Sequence, residues 1–68
     1  MRTNLKVFRI KRNMTQAEFA NAVGYSRCHY AKIESGEKNM PLKLLENIQQ
    51  NFRISDSELL DLKKNDLE

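Results

Sequence analysis

The stretch that most constrains this chain is TQAEFANAVGYSRCHYAKIE, residues 15–34, which reads as two short helices around a tight turn. Thr15 is a favourable N-cap residue, and Glu18 three positions later has the spacing of a capping box. Gly24 can adopt a positive φ at little cost, so the first helix can end there and the chain can turn. Ser26 then provides the N-cap of a second helix. The stretch therefore predicts a helix, a glycine turn and a second helix.

Helical spacing divides the second of these helices into an inner and an outer side. Tyr30 and Ile33 lie three positions apart and should be buried, and the helix should end before Gly36. The residues expected to face outward are Arg27, Cys28, Ala31 and Lys32. Two helices joined by a short glycine turn, the second presenting polar side chains from its N-terminal end, are typical of a helix-turn-helix that enters the DNA major groove.

The remaining sequence predicts three further helices and no strand. Thr3 or Asn4 can cap a first helix that ends near Asn13, a residue that tolerates the left-handed conformation. Pro41 opens a fourth helix, LKLLENIQQNF, whose apolar residues recur every three or four positions. Ser55 begins a second capping-box spacing, at the start of a fifth helix. We therefore expect an all-α fold, a compact bundle of five helices.

The expected hydrophobic core is small for a chain of 68 residues, so the free energy of unfolding should be marginal. Its expected members are Leu5, Phe8, Met14, Phe19, Ala20, Val23, Tyr30, Ile33, Leu42, Leu45, Ile48, Phe52, Ile54 and Leu59. We expect residues 1–68 to form a single domain with its helix-turn-helix at residues 15–35. The polar end, residues 63–68, should fray.

Cysteine and histidine usage argues against a disulfide and against a metal centre. Cys28 is the only cysteine, which fits a reducing cytoplasm and excludes an internal disulfide. His29 adjoins it, but neighbouring residues of a helix project about 100° apart, and no other Cys or His is present to complete a metal site. No apolar run is long enough for a signal peptide or a membrane span, so we expect a cytoplasmic protein. We also expect no cofactor.

The net charge of +3 is modest, but its distribution along the chain is uneven. Residues 1–38 hold eight Lys/Arg and three acids, a balance of +5, whereas residues 39–68 hold four Lys/Arg and six acids, a balance of −2. The basic half coincides with the predicted helix-turn-helix, as a polyanionic partner would require. From charge alone, the alternative is a solvated surface whose asymmetry is accidental.

Several motifs taken together resemble the Cro/C1-type (XRE-like) helix-turn-helix family of phage and bacterial transcriptional regulators. These motifs are Leu5…Arg9, Met14-Thr15-Gln16…Phe19-Ala20, Val23-Gly24-Tyr25-Ser26-Arg27, Ile33-Glu34-Ser35-Gly36 and Phe52…Ile54-Ser55…Glu58-Leu59. The resemblance implies a five-helix DNA-binding domain like that of the lambda repressor. It also implies an internal ion pair between Arg9 and Glu34. The residues agree with it, since a charge beside an apolar stripe needs a partner if it is buried.

The resemblance places Ser26, Arg27, Cys28 and Lys32 on the side of the third helix that faces the DNA groove. Arg27 is the leading candidate for base recognition, because a guanidinium can form two parallel hydrogen bonds with guanine. The alternatives for Arg27 are a phosphate contact and a solvated side chain. Lys32 can contact a phosphate or a base, and Cys28 either touches a thymine methyl group or remains an inert exposed thiol.

The candidate contacts to the phosphate backbone are Gln16, His29, Lys38, Asn39 and Lys43. Gln16 lies at the positive end of the second helix, where its amide and the backbone N–H groups can meet a phosphate. The family resemblance also implies a base-edge contact as an option for Gln16, and the remaining alternative is an ordinary first-turn residue. His29 either contacts a phosphate or packs locally. For the residues that follow the third helix, the alternative is an ordinary polar surface.

The chain departs from the usual pattern of the family at four places, one of which is Met40-Pro41, shifted by one position relative to the usual Asn-Pro. Tyr30 stands where a branched aliphatic residue is common, so helix packing there should be adjusted. Gln49 stands where a small apolar residue is common. Arg53 replaces the common glycine after the fourth helix and should cost about 1 kcal/mol if it adopts the left-handed conformation.

These observations predict a sequence-specific regulator of transcription, a repressor that binds double-stranded DNA as a homodimer on a two-fold-related operator. The alternatives are a monomer that pairs only on DNA and a protein-interaction module, an antitoxin or adaptor with the same fold. With no second domain expected, the dimer interface should use exposed apolar residues near the carboxyl end: Leu44, Ile54, Leu60, Leu62 and Leu67. No catalytic residue constellation is recognisable, and we expect no enzyme activity, membrane or small-molecule substrate.

Overall fold

A computed structural model of the chain describes residues 1–63, and these residues contain five α-helices and no strand. The helices are α1 (Thr3–Lys11), α2 (Gln16–Ala22), α3 (Arg27–Ser35), α4 (Leu42–Phe52) and α5 (Asp56–Lys63). Helix α1 packs against α5 and α3, and α2 packs against α3. The all-α architecture expected from the sequence is confirmed. The sequence predicts fraying at residues 63–68. Lys63 is the last residue of α5. Residues 64–68 lie outside the described residues.

The ends of α2 and α3 follow the capping residues seen in the sequence. The Thr15 hydroxyl accepts a bond from the Glu18 N–H at 3.1 Å, and the Glu18 carboxylate accepts one from the Thr15 N–H at 2.8 Å. These bonds from the Thr15 backbone and side chain lower the pKa of Glu18. Ser26 Oγ accepts a bond from the His29 N–H at 3.2 Å and caps α3. Both predicted caps are therefore present.

Within residues 1–63, two residues other than glycine occupy the left-handed region. Asn13, with φ of 56°, follows α1 as predicted, and Arg53, with φ of 51°, follows α4. The start of α1 differs from the sequence prediction. Its N-cap is Arg2, without a side-chain capping bond, and neither Thr3 nor Asn4 serves as the cap.

The hydrophobic core is built around contacts between aromatic rings. The Phe19 ring stacks on Phe52, with centroids 5.3 Å apart and planes 5° apart, and lies 5.1 Å from Tyr30. Phe8 meets Phe19 and Phe52 edge-on at 6.2 and 5.4 Å. These four rings join α1, α2, α3 and α4. Of the helices in residues 1–63, none combines the length and apolar character needed to cross a membrane.

Helix α4 is rotated relative to the sequence prediction. Leu42, expected in the core, is 71% exposed, whereas Leu44, expected on the surface as a dimer contact, is completely buried. The two residues lie about 200° apart around a helix, so only one of them can face the core. Leu44 is the one that shares a face with buried Ile48, one turn further along.

Two other residues expected at a dimer interface also belong to the core. Ile54 and Leu62 are 8% and 3% exposed and join the main hydrophobic cluster, so the exposure expected at a dimer interface is wrong for both. The core position that the sequence also predicts for Ile54 is confirmed. A chain this short has few apolar residues, and α5 needs its own to pack against α1. Leu60 is 61% exposed, as expected. Leu67 lies outside the described residues.

Candidate nucleic-acid interface

The first turn of α3 presents polar and small side chains to solvent. Ser26, Arg27, Cys28 and His29 are all exposed, as is Lys32 one turn later. On the opposite side of the same helix, the side chains at positions 30 and 33 are completely buried. The division into inner and outer sides that helical spacing predicts is therefore present in the structure.

His29 has a neighbour that the sequence did not indicate. Its ring meets the half-buried Tyr25 ring edge-on, with centroids 5.1 Å apart. Tyr25 itself is held in the turn between α2 and α3 by a bond from its N–H to the Ala20 carbonyl at 2.8 Å. The local packing expected as one alternative for His29 thus exists, and the ring remains exposed to solvent.

Beneath the exposed turn, the carboxylate of Glu34 collects four hydrogen bonds. Arg9 donates from Nε at 3.0 Å and from Nη2 at 3.3 Å, so the ion pair implied by the family resemblance is present. Tyr30 donates its hydroxyl proton at 2.6 Å, and Gln16 donates from Nε2 at 3.1 Å. These four residues, Arg9, Gln16, Tyr30 and Glu34, form what we call the Glu34 cluster. It joins α1, α2 and α3.

The Glu34 cluster is electrostatically balanced. Burial by itself would raise the pKa of Glu34, but the bonds from Arg9, Tyr30 and Gln16 outweigh it and lower that pKa below 4.5. The hydrogen bond to Glu34 raises the pKa of Arg9, and burial raises that of Tyr30. Glu34 is therefore a carboxylate and Arg9 a cation at neutral pH. Helix α3 is fixed by a satisfied buried charge pair.

Gln16 occupies both an internal and an external position. It is the first residue of α2 and is only half-buried. One amide proton is directed at Glu34. A side-chain amide carries two donors and one acceptor, so the group retains further capacity for a partner outside the domain.

Two asparagines of α4 hold the turn between α2 and α3. Asn47 Nδ2 donates to the Val23 carbonyl at 2.9 Å, and Asn51 Nδ2 donates to the Ala22 carbonyl at 3.0 Å. Carbonyl groups at a helix C-terminus lack partners within the helix, and here another helix supplies the donors. Gly24 follows with φ of 79°. The angle between α2 and α3 thus depends on the docking of α4.

The other predicted phosphate contacts, Lys38, Asn39 and Lys43, are all exposed. The first two lie in the loop from α3 to α4, residues 36–41, and Lys43 lies in the first turn of α4. Cys28 is a free, exposed thiol. Among the described residues, no group of three potential metal ligands comes together.

Sequence reasoning missed two arginines that the structure uses. Arg12 lies with its guanidinium 3.5 Å from the Phe8 ring centroid and donates to the Phe8 carbonyl at 3.0 Å. Arg2 is buried against the C-terminal end of α3. The four-residue spacing of Phe8 and Arg12 could have indicated the first contact. The Arg2 contacts span more than 30 residues and leave no local signal.

The described residues form five helices, and the third helix is capped and exposes a polar, rigidly supported first turn. This arrangement is that of a helix-turn-helix DNA-binding protein. A helix-turn-helix family model matches residues 5–59. The chain therefore belongs to this family, in its Cro/C1-type (XRE-like) branch.

Relatives of the chain carry matching descriptions. An uncharacterized HTH-type transcriptional regulator of Archaeoglobus fulgidus is 43% identical over 63 residues, which cover 90% of this chain and 89% of that protein. A second such regulator of the same organism is 40% identical over 63 residues, with 90% of each chain covered. Antitoxin PezA of Streptococcus pneumoniae is 36% identical over 52 residues, 76% of this chain but 33% of PezA. No solved structure gives a significant match.

Proposed function

We propose that the chain is a repressor that binds a two-fold-related DNA operator as a homodimer and blocks access to a promoter. The observation that carries this proposal is the exposed first turn of α3 above a fully buried inner face. A side chain discriminates between bases only if its backbone is held in a fixed position. The core and the Glu34 cluster provide that fixed position.

Base recognition is assigned to the side chains at the start of α3. Arg27, at its first position, can bond guanine through two donors, and Cys28 can contact a thymine methyl group. Lys32 lies four positions after Cys28 and therefore on the same side of the helix. The Ser26 hydroxyl already accepts a bond as the cap and can still donate its proton to DNA.

Contacts to the phosphate backbone are assigned to residues on both sides of α3 in the chain. Gln16 precedes it, at the N-terminus of α2, where the helix dipole and free backbone N–H groups favour an anion. Lys38, Asn39 and Lys43 follow it and are exposed. His29 contributes from α3 itself. Contacts on both sides would fix the register of α3 in the groove.

A comparison of sizes supports the proposed dimer. The fold measures 27 × 26 × 22 Å, whereas successive major-groove sites on one side of DNA lie about 34 Å apart. One domain therefore reads one half-site, and a two-fold pair reads two. Of the four apolar residues expected at the interface that lie within residues 1–63, Leu60 is the one that remains exposed.

Selection of bound sites from a library of random DNA duplexes tests the proposal. We expect enrichment of a sequence with two-fold symmetry whose half-sites are centred about 34 Å, or one helical turn, apart. Recovery of a single half-site would remove the dimer from the proposal. Absence of any enrichment, together with no binding to duplex at low salt, would overturn the assignment to DNA.

The second candidate is a protein-interaction module, an antitoxin or adaptor that keeps the helix-turn-helix fold and binds a partner protein. The similarity to antitoxin PezA favours it, although the match covers a third of that protein. The same selection separates the two candidates if it is repeated after passage of the protein over cell extract. An operator enriched by the isolated chain supports the homodimer. Enrichment only in the presence of a copurifying protein supports the second candidate.

A further inference from the structure

The carbonyl groups that end α3 are satisfied mainly from outside the helix. The Lys32 carbonyl accepts a bond from the Lys38 N–H at 3.2 Å, and the Glu34 carbonyl accepts one from the Arg2 N–H at 2.8 Å. The Ile33 carbonyl accepts two bonds, from the Gly36 N–H at 3.2 Å and from Arg2 Nη1. The last four carbonyls of a helix need such donors. Arg2 supplies two of them.

The same guanidinium also reaches the loop from α3 to α4. Arg2 Nη1 donates to the Lys38 carbonyl at 2.9 Å, in addition to its bond to Ile33. One nitrogen of Arg2 thus connects the end of α3 with the loop that carries Lys38 and Asn39. Because these bonds join residues 31 and 36 positions apart, they attach the start of α1 to this loop.

Burial of the Arg2 side chain costs free energy, because its charged guanidinium loses contact with water. Arg2 is 7% exposed, and within residues 1–63 its Nε has no hydrogen-bond partner. An apolar side chain of similar volume would avoid the desolvation of a charge. What the guanidinium adds is a pair of directed bonds and a favourable interaction with the negative end of the α3 dipole. Its contribution is therefore to hold the loop in one place.

We propose that Arg2 is a positioning residue for DNA binding, which fixes the loop from α3 to α4 so that Lys38 and Asn39 meet the phosphate backbone. This inference rests on the proposed DNA-binding function. Arg2 is itself too buried to reach DNA, so its effect passes through the loop. An Arg2→Met substitution tests this role, because it removes the guanidinium and leaves the bond between the backbone N–H of residue 2 and the Glu34 carbonyl in place.

The test compares Arg2→Met with Arg12→Met, because both remove one guanidinium from the same end of the chain. Arg12 donates to the carbonyl of Phe8, within α1, so its loss removes the same charge without the attachment to the loop. Amide hydrogen exchange is measured at Lys38, with Val23 in the α2–α3 turn as an internal reference. We expect Arg2→Met to lower the protection of Lys38 relative to Val23 and Arg12→Met to leave that ratio unchanged. Equal ratios in the two variants would overturn the proposal.

The second measurement is the dependence of DNA affinity on salt, on the duplex selected by the wild-type chain. We expect Arg2→Met to reduce the slope of log K against log[salt] by about 0.9 for each phosphate that the loop no longer neutralises, and Arg2→Lys to restore it. In a background of Lys38→Ala with Asn39→Ala, Arg2→Met should have no further effect on affinity. A reduction of affinity that persists in that background would overturn the proposal.

The outcomes also separate this proposal from the proposed function. If the wild-type chain binds no duplex, the DNA-binding function fails, whereas an exchange ratio that changes only in Arg2→Met still establishes that Arg2 holds the loop. Should Arg2→Met prove unfolded, Arg2→Gln takes its place under the same criteria. The glutamine amide is too short to bridge the Ile33 and Lys38 carbonyls.

Discussion

At the scale of single residues, Tyr30 explains a departure from the usual pattern of the family. The sequence indicates only that a large polar-tipped ring replaces an aliphatic side chain at a buried position. In the structure the ring joins the aromatic core through Phe19, and its hydroxyl reaches Glu34 at 2.6 Å. One side chain therefore serves both the core and the Glu34 cluster. Helical spacing predicted its burial, but it could not reveal the hydrogen bond.

Removal of this hydroxyl should weaken the fold. A hydrogen bond to a charged group contributes about 1.5–3 kcal/mol, so Tyr30→Phe should lower the free energy of unfolding by about that amount. Urea denaturation measures it. Tyr25→Phe is the matched control, because Tyr25 is half-buried and outside the Glu34 cluster. Equal stability of Tyr30→Phe and the wild type would contradict the prediction.

The exposed arginine at the start of α3 should affect recognition and leave stability unchanged. Arg27→Ala should reduce the free energy of operator binding by about 1–3 kcal/mol and relax selectivity at one base position. Titration against operator variants with single base changes measures both effects. Lys11→Ala provides the comparison, since Lys11 is exposed on α1 and lines a cleft that Glu58 and Asp61 of α5 also line. If Arg27→Ala discriminated among the variants as the wild type does, the base contact would be wrong.

At the scale of the helices, the sequence predicted where α2 and α3 begin and where α1 ends better than it predicted which face of α4 is buried. The caps at Thr15 and Ser26 and the left-handed Asn13 depend on neighbouring residues, so their positions could be predicted correctly from the sequence. The rotation of α4 depends on which of several leucines fits the core. Leu42, Leu44 and Leu45 are similar in hydrophobicity, so spacing alone could not choose among them.

The end of α4 offers a test of backbone strain. Arg53 has φ of 51°, where a side chain costs energy that glycine avoids. Arg53→Gly should therefore raise the free energy of unfolding by about 1 kcal/mol. Gln50→Gly, at an exposed helical position of the same helix, should lower it by about 1 kcal/mol. Thermal unfolding of the two variants should shift in opposite directions, and a shift in the same direction would contradict the strain.

At the scale of the whole molecule, the Glu34 cluster makes stability depend on acid. Because the pKa of Glu34 is lower in the folded state than 4.5, its stabilisation is complete above about pH 4.5 and is lost as pH falls through the folded-state value. Denaturation measured at several pH values should show this loss.

Glu18 shifts in the same direction, so two variants are needed to separate the carboxylates. Glu34→Gln should flatten the acid dependence, in addition to lowering stability at neutral pH by about 3–5 kcal/mol because Arg9 loses its partner. Glu18→Gln should leave the contribution of Glu34 in place. An unchanged pH dependence in Glu34→Gln would exclude the cluster as its source.

DNA binding by the whole dimer should be strongly dependent on salt. If Lys38 and Lys43 each neutralise a phosphate at both half-sites, log K should fall with log[salt] with a slope of about −3.6. Fluorescence titration between 50 and about 200 mM salt covers the useful range. A slope near zero would show that the basic residues do not meet the phosphate backbone.

The two asparagines of α4 that donate to the end of α2 have a consequence for any attempt to transplant the recognition segment. Residues 15–35 contain both N-cap residues and Gly24, but the side-chain donors that restrain the junction of the two helices come from Asn47 and Asn51. A synthetic peptide of that segment would keep the sequence of the motif but lose its conformation, since helices of 7 and 9 residues are unstable in isolation. The smallest portable reading unit of this chain therefore extends at least through residue 51.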